Sequence, residues 1–229
     1  MKKLVALLSL ALLVPFTSPP LQAATIIADW TFETSKPTTA GPYSPEVGSG
    51  SATGSHASGS VVYSAPSGNG STNSFNSTRW AVGDYYQFQV STIGFSGIAV
   101  SWDQVSSGTG PRDFNLQYST DGTSFTSFAS YSVLVNVAPN FWATNSTVFT
   151  TSFADDLSSI TALNNDSSVF FRLVDASTTS ASGATVTTVG TDRVDNFTVT
   201  AVPEPATVGI CLLGGLGISG LRAWRRRCS

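Results

Sequence analysis

Between residues 85 and 118 apolar and polar side chains alternate with a period of two, and this alternation decides the fold class. Tyr86, Phe88 and Val90 alternate with Tyr85, Gln87 and Gln89, and Ile98, Val100 and Trp102 alternate with Ala99, Ser101 and Asp103. Phe114, Leu116 and Tyr118 continue the pattern. Successive side chains of a strand point to opposite faces, so each segment is a strand with one apolar face and one wetter face. Asp121-Gly122 follows and suits a type I′ hairpin turn, returning the chain through Phe125 and Phe128. Further strands are expected over 26–32, 132–137, 147–149, 169–174 and 192–200, with a helical turn where Leu157, Ile160 and Leu163 recur at threes. Strands this numerous bury their dry faces best as two packed sheets, so the chain is expected to be an all-β antiparallel β-sandwich of jelly-roll type. The stretches 34–78 and 176–191, rich in Gly, Ser and Thr, read as mostly flexible surface.

The two ends are built differently. Lys2 and Lys3 precede an apolar run from Leu4 to Phe16, then Pro19, Pro20 and the small residues Ala23 and Ala24, which is the build of a cleaved signal peptide over residues 1–23. The sandwich domain is assigned to 24–201, about 180 residues and enough for one sizeable core. In the tail, 202–229, Val202-Pro203-Glu204-Pro205 comes before an uncharged apolar run, 206–221, and then Arg222, Arg225, Arg226 and Arg227. The prolines hold the tetrapeptide extended and keep Glu204 solvated. The run is short for a membrane segment, which takes about 20 residues, and the arginines form a basic stop on the cytoplasmic side.

This tail resembles the PEP-CTERM sorting signal of Gram-negative bacteria. The resemblance implies that an exosortase, a membrane protease/transpeptidase, recognises the Pro-Glu-Pro triplet. It further implies an inner-membrane intermediate, followed by delivery to the cell surface or the extracellular exopolysaccharide matrix of a biofilm.

Charge narrows the partners. From Asp29 to Asp195 there are thirteen acidic residues against five basic ones, Lys36, Arg79, Arg112, Arg172 and Arg193, a formal −8. Such a body repels nucleic acid and anionic lipid and attracts divalent cations. Both cysteines, Cys211 and Cys228, lie in the tail, so the body has neither a disulfide nor a thiolate metal site. The single histidine, His56, sits in a Gly/Ser-rich stretch and reads as a solvated loop residue with no partner fixed in the sequence. Gly-x-Ser-x-Gly, His-Glu-x-x-His and phosphate-loop motifs are absent, and Asp155-Asp156 reads as a solvated turn, so no catalysis is expected.

The segments Arg79-Trp80-Ala81-Val82-Gly83-Asp84-Tyr85-Tyr86, Ser101-Trp102-Asp103-Gln104 and Arg193-Val194-Asp195-Asn196-Phe197 resemble exported jelly-roll modules found in PEP-CTERM proteins and beside secreted nucleases. That likeness implies a structural or adhesive module, and leaves open an accessory domain of a hydrolase. Phe32-Glu33 near the first strand and Asp195 in the last are also similar to the calcium-bearing jelly rolls of carbohydrate-binding modules. This second likeness implies Glu33 and Asp195 as Ca2+ ligands and a calcium-dependent polysaccharide-binding role. Asp195 shares parity with Phe197 and Val199 and so points inward, where a carboxylate needs a partner. Arg112, Arg172 or Arg193 would serve as well as an ion. Trp80, Trp142, Tyr43 and Tyr85 are the candidates for stacking on sugar rings. Trp102, mid-strand, is expected in the core and Trp142 outside it.

Overall fold

Thirteen strands and two short 3-10 turns make up residues 22–204, the part of the chain that the computed structural model describes. The signal segment before Gln22, Pro205, the apolar run 206–221 and the terminal arginines lie outside the described residues. No helix among the described residues is long and apolar enough to cross a membrane.

Numbered in chain order, the larger sheet runs β10 (Leu134–Val135), β7 (Phe95–Ser106), β13 (Thr191–Pro203), β1 (Thr25–Trp30) and β2 (Val47–Gly48). On it, β11 (Ser152–Asp156) pairs with β7, and β5 (Phe75–Thr78) pairs with β13 and with β4 (Tyr63–Ser64). The second sheet runs β3 (Gly50–Ser55), β6 (Tyr85–Val90), β12 (Val169–Asp175), β8 (Asp113–Ser119) and β9 (Thr126–Ser132). Every named pair is antiparallel except the short pairing of β10 with β7. The sheets pack face to face through aromatic rings. Phe88 of β6 stacks on Phe197 of β13 at 3.7 Å, and Trp30 of β1 meets Phe88 edge-on at 5.3 Å. Trp102 of β7 meets Tyr131 of β9 at 5.2 Å. The all-β antiparallel sandwich expected from the alternation is therefore the observed architecture, with β6 and β12 strictly alternating buried and half-buried residues.

Several local expectations are corrected. The hairpin of β8 and β9 forms, but residues 120–125 separate the strands and only Gly122 has positive φ, at 70°. The turn is instead tied by Asp121, whose Oδ1 accepts from the backbone N–H groups of Thr123 (2.8 Å) and Ser124 (2.7 Å). Residues 149–151 form a 3-10 turn in place of a strand, and Asp155 and Asp156 lie in β11, paired with Val100 and Ala99, in place of a turn. Ile26 is exposed because a bulge between Ile26 and Ala28 breaks the parity of β1.

The largest correction concerns 34–78, which supplies β2, β3, β4 and β5 and is framework. Its small residues are demanded by neighbours. A Cβ on Gly50 would lie 2.3 Å from Gln89 O and 2.9 Å from the Trp30 ring, and one on Gly54 would lie 2.7 Å from the Tyr63 ring. A strand that reads as Gly-Ser-Ala-Thr-Gly-Ser is thus apolar in its surroundings, although its own side chains are small.

Candidate functional site

The sequence-derived residues come together at unexpected places. Asp195 is fully buried, but not between the sheets: Val194 pairs with core-facing Gln104 and Asp195 with Asp103, and the bulge at Asn196 (φ 51°) breaks its expected parity with Phe197 and Val199, so it lies on the outer face of the larger sheet beneath a loop. Its Oδ2 accepts from Asn69 N (2.9 Å) and lies 2.6 Å from Ser71 Oγ, and its Oδ1 accepts from Asn196 N (2.9 Å). Glu33, exposed at the end of the first strand region, accepts from Asn73 N at 2.8 Å. Both carboxylates therefore hold one loop, residues 69–73, against the sheet. This arrangement does not fit calcium, which needs several converging hard oxygens, because N–H and O–H groups point at these carboxylates. Among the described residues no three His, Cys, Asp or Glu side chains are grouped to hold a metal. The arginine alternative fails too: Arg112 forks onto Asp113, Arg172 lies between aromatic rings, and Arg193 donates to Ser67 O.

Neither tryptophan proposed for sugar stacking is exposed. Trp80 is 6% exposed, its Nε1 donates to Ser77 O (3.0 Å), and its ring meets His56, Tyr86 and Phe114 edge-on. Trp142 is 1% exposed, with Nε1 donating to Thr151 Oγ1 at 2.9 Å. Each sits in a loop, yet the indole N–H finds a partner and the ring finds a core, so the loop folds around it. Tyr43 packs against the core with its hydroxyl on Thr39. Tyr85 alone of the four lies on the wetter face of a strand.

His56 is a further correction. Its side chain is wholly buried, Nδ1 lying 3.0 Å from Asp84 Oδ2 and Nε2 lying 3.0 Å from Ser77 Oγ. Burial pulls its pKa down, so the ring is neutral, donating from Nδ1 to Asp84 and accepting at Nε2 from Ser77. The order Ser, His, Asp is that of an acyl-transfer triad. A nucleophile must reach a carbonyl, however, and Ser77 is fully buried with its Oγ also 2.9 Å from the Tyr86 hydroxyl. The chain instead clamps the end of β3 to β5 and to the start of β6. Asp84 adds the backbone N–H groups of Ala57 (2.7 Å) and Ala81 (2.8 Å) to that clamp.

The tetrapeptide 202–205 is extended where it is described. Val202 and Pro203 complete β13, paired with Ser96 and Phe95, and the N–H of exposed Glu204 donates to Gly94 O at 2.8 Å.

The face that alternation leaves outward on the five-stranded sheet is the richest in ligand-competent groups. In register across it lie Ser51, Gln89 and Phe170; then Thr53, Gln87, Arg172, Gln117 and Ser127; then Ser55, Tyr85, Val174, Asn115 and Ser130. Their side chains are linked laterally: Arg172 Nε donates to Gln87 Oε1 (2.8 Å), Ser130 Oγ to Asn115 Oδ1 (2.6 Å) and Gln89 Nε2 to Ser168 Oγ (2.7 Å). These three rows hold amides, hydroxyls, rings and one guanidinium, and no carboxylate. At one end Gly50, Ser51, Gln89 and Ser167 line an open groove of ≈ 290 Å³. Of this face, sequence reading named only Tyr85 as a ligand candidate, although the polar members of β6 and β8 were visible as its alternating positions.

No protein-family model matches the chain, and no curated protein does. Among solved structures it is similar to the N-terminal CBM22-1–CBM22-2 tandem domain from Paenibacillus barcinonensis Xyn10C, at 16% identity and a TM-score of 0.49, covering 84% of this chain and 49% of that one. The chain thus spans about half the length of that structure. It is also similar to the K2 cleaved adhesin domain of Lys-gingipain (14% identity, TM-score 0.44, covering 80% of this chain and 99% of that one). A third similar structure is TmCBM61 in complex with β-1,4-galactotriose (10% identity, TM-score 0.39, covering 76% and 94%).

Proposed function

We propose that this chain is an exported, non-catalytic binding module of jelly-roll type that adheres to a polysaccharide at the cell surface or in the surrounding matrix. The outer face of the five-stranded sheet carries the reading. Sugars offer many hydroxyls and apolar C–H faces, and a sheet of cross-linked amides and hydroxyls with Tyr85, Phe170 and Phe125 beside them offers the complement. Lateral hydrogen bonds hold the side chains in place before a ligand arrives, which lowers the ordering cost of binding. The tail supports an exported address, with exosortase as the processing partner.

Two experiments test the two halves of this reading. The double substitution Tyr85→Ala, Gln89→Ala is expected to abolish retention on immobilised polysaccharide while leaving the melting temperature within a few degrees. Unchanged retention would remove the face from the proposal. Replacing Pro203, Glu204 and Pro205 together by Ala is expected to leave the chain unprocessed in the inner membrane of the producing cell. Normal processing of that variant, read by mass spectrometry of the exported form, would remove the sorting assignment.

A further inference from the structure

Arg172 is the only charged residue in the three rows of the polar face, and its setting sets it apart from its fellow bases. Arg112 forks onto Asp113 at 2.9 and 3.1 Å, and Arg193 spends Nη1 on Ser67 O at 2.7 Å. Arg172 has no carboxylate within ion-pair distance among the described residues. Its guanidinium carbon lies 3.9 Å from the Tyr85 ring centroid and 3.5 Å from that of Phe125. Nε is fixed on Gln87. Aromatic contacts take the faces of the planar group and the Nε bond sets its rotation, which leaves the Nη edge as a fork of donors.

That edge matches a carboxylate, which accepts two parallel N–H bonds from guanidinium. Gln87 and Gln117 flank Arg172 in register on either side, with Thr53 and Ser127 beyond them, so a bound anion would have amide and hydroxyl neighbours. No carboxylate lies in these three rows; Asp113, two residues along β8 from Asn115 on the same face, is paired with Arg112 at 2.9 and 3.1 Å, and Asp121 beyond Ser119 is tied to its own turn. The −8 charge of the body acts at longer range, where salt screens it beyond about 10 Å. We propose that Arg172 makes the face selective for acidic polysaccharide, binding the carboxylate of a uronic acid residue. The proposal rests on the polysaccharide reading above and adds the class of sugar to it.

Affinity electrophoresis of the purified protein in gels containing polygalacturonate, or its methyl ester, tests this directly, because the two polymers differ in the free carboxylate. Polygalacturonate is expected to retard the wild type more strongly than the ester does. Arg172→Gln is expected to lose about ten-fold in affinity for the acid form, the share of one charge-assisted pair, and little for the ester. Arg172→Lys keeps the charge without the fork and is expected to recover only part of the loss, while Lys36→Gln, a charge removed elsewhere, changes nothing. Should Arg172→Gln fold poorly by its melting curve, Phe125→Leu, which loosens the guanidinium without removing it, is expected to weaken acid binding several-fold. Equal retardation by acid and ester, or an Arg172→Gln variant that binds the acid as the wild type does, overturns the selectivity and leaves the polysaccharide reading standing. Retardation by neither polymer overturns both.

Discussion

Trp102→Ala and Trp142→Ala are each expected to lower stability by about 3 to 5 kcal/mol, a large share of the roughly 5 to 15 kcal/mol that holds a domain folded. Trp102, 2% exposed in β7, packs on Phe153 at 5.4 Å and on Tyr131 at 5.2 Å, and its Nε1 donates to Gln104 Oε1 at 3.1 Å. Trp142 is buried as deeply, 1% exposed, but organises a loop and not a sheet. Its backbone N–H donates to Asn136 Oδ1 (2.8 Å), its indole N–H to Thr151 Oγ1 (2.9 Å), and the Arg193 guanidinium lies 5.7 Å from its ring. Truncation leaves in each case a cavity of indole size and removes one buried hydrogen bond. Equilibrium denaturation of the two variants is expected to show similar losses. A loss below about 1 kcal/mol for Trp142→Ala would mean that residues 136–151 do not close around this ring.

Where a residue's fate depended on its own strand, the sequence was readable. Phe88, Val100, Leu116 and Phe171 are buried because period two puts them on the dry face, whereas the bulge at Asn196 puts Asp195 on the opposite face from Phe197 and Val199, which counting by twos does not show. Where the fate depended on a partner far along the chain, the residue type misled. His56 reads as a solvated loop residue until Ser77 and Asp84, 21 and 28 positions away, close on its two nitrogens. Gly50 and Gly54 read as linker because nothing local shows that the Trp30 and Tyr63 rings cover them. Trp80 and Trp142 follow turn-like segments and so read as exposed, although burying an indole outweighs the loop composition around it. The ligand-competent face was half legible. Tyr85, Gln87 and Gln89 were visible as the wet side of one strand, but the clamp on Arg172 joins β6, β12 and the loop before β9 and exists only once the sheet is assembled.

Stability is expected to rise as pH falls from 8 to about 5, opposite to the usual loss on acidification. Burial pushes the Asp192 carboxyl up to about 8 and that of Asp195 up to about 7, and Asp175, one of whose oxygens meets no partner, moves the same way. The geometry at Asp192 agrees. Ser106 Oγ lies 2.6 Å from Pro111 O and 2.9 Å from Asp192 Oδ2, yet a hydroxyl has one proton to give. If Ser106 donates to Pro111, the remaining contact needs its proton from Asp192, which a neutral carboxylic acid supplies. For a group whose pKa is raised on folding, the native state binds more protons than the unfolded chain, so its stabilisation is full below the unfolded value and is lost as pH rises through the folded one. His56 opposes this below about 6.5, because burial lowers its pKa and the unfolded chain takes up the proton first. Each unmatched proton changes stability by about 1.4 kcal/mol per pH unit, so Asp192 and Asp195 together outweigh His56 by an amount on the order of 4 kcal/mol between pH 8 and 5. Below about pH 4 the trend reverses, because the unfolded chain protonates Asp113 first while the hydrogen bond from Arg112, the largest cause, holds the folded carboxyl near 2, so its stabilisation is lost as pH falls through that value. Asp192→Asn replaces the neutral acid by an amide that can donate to Ser106 and accept from Gln104, so it is expected to stabilise the protein at pH 8 and to flatten the profile by about one proton. Melting temperatures across this range decide the matter: a flat wild-type profile, or an Asp192→Asn profile as steep as the wild type, would show that these carboxyls are ionised in the folded protein.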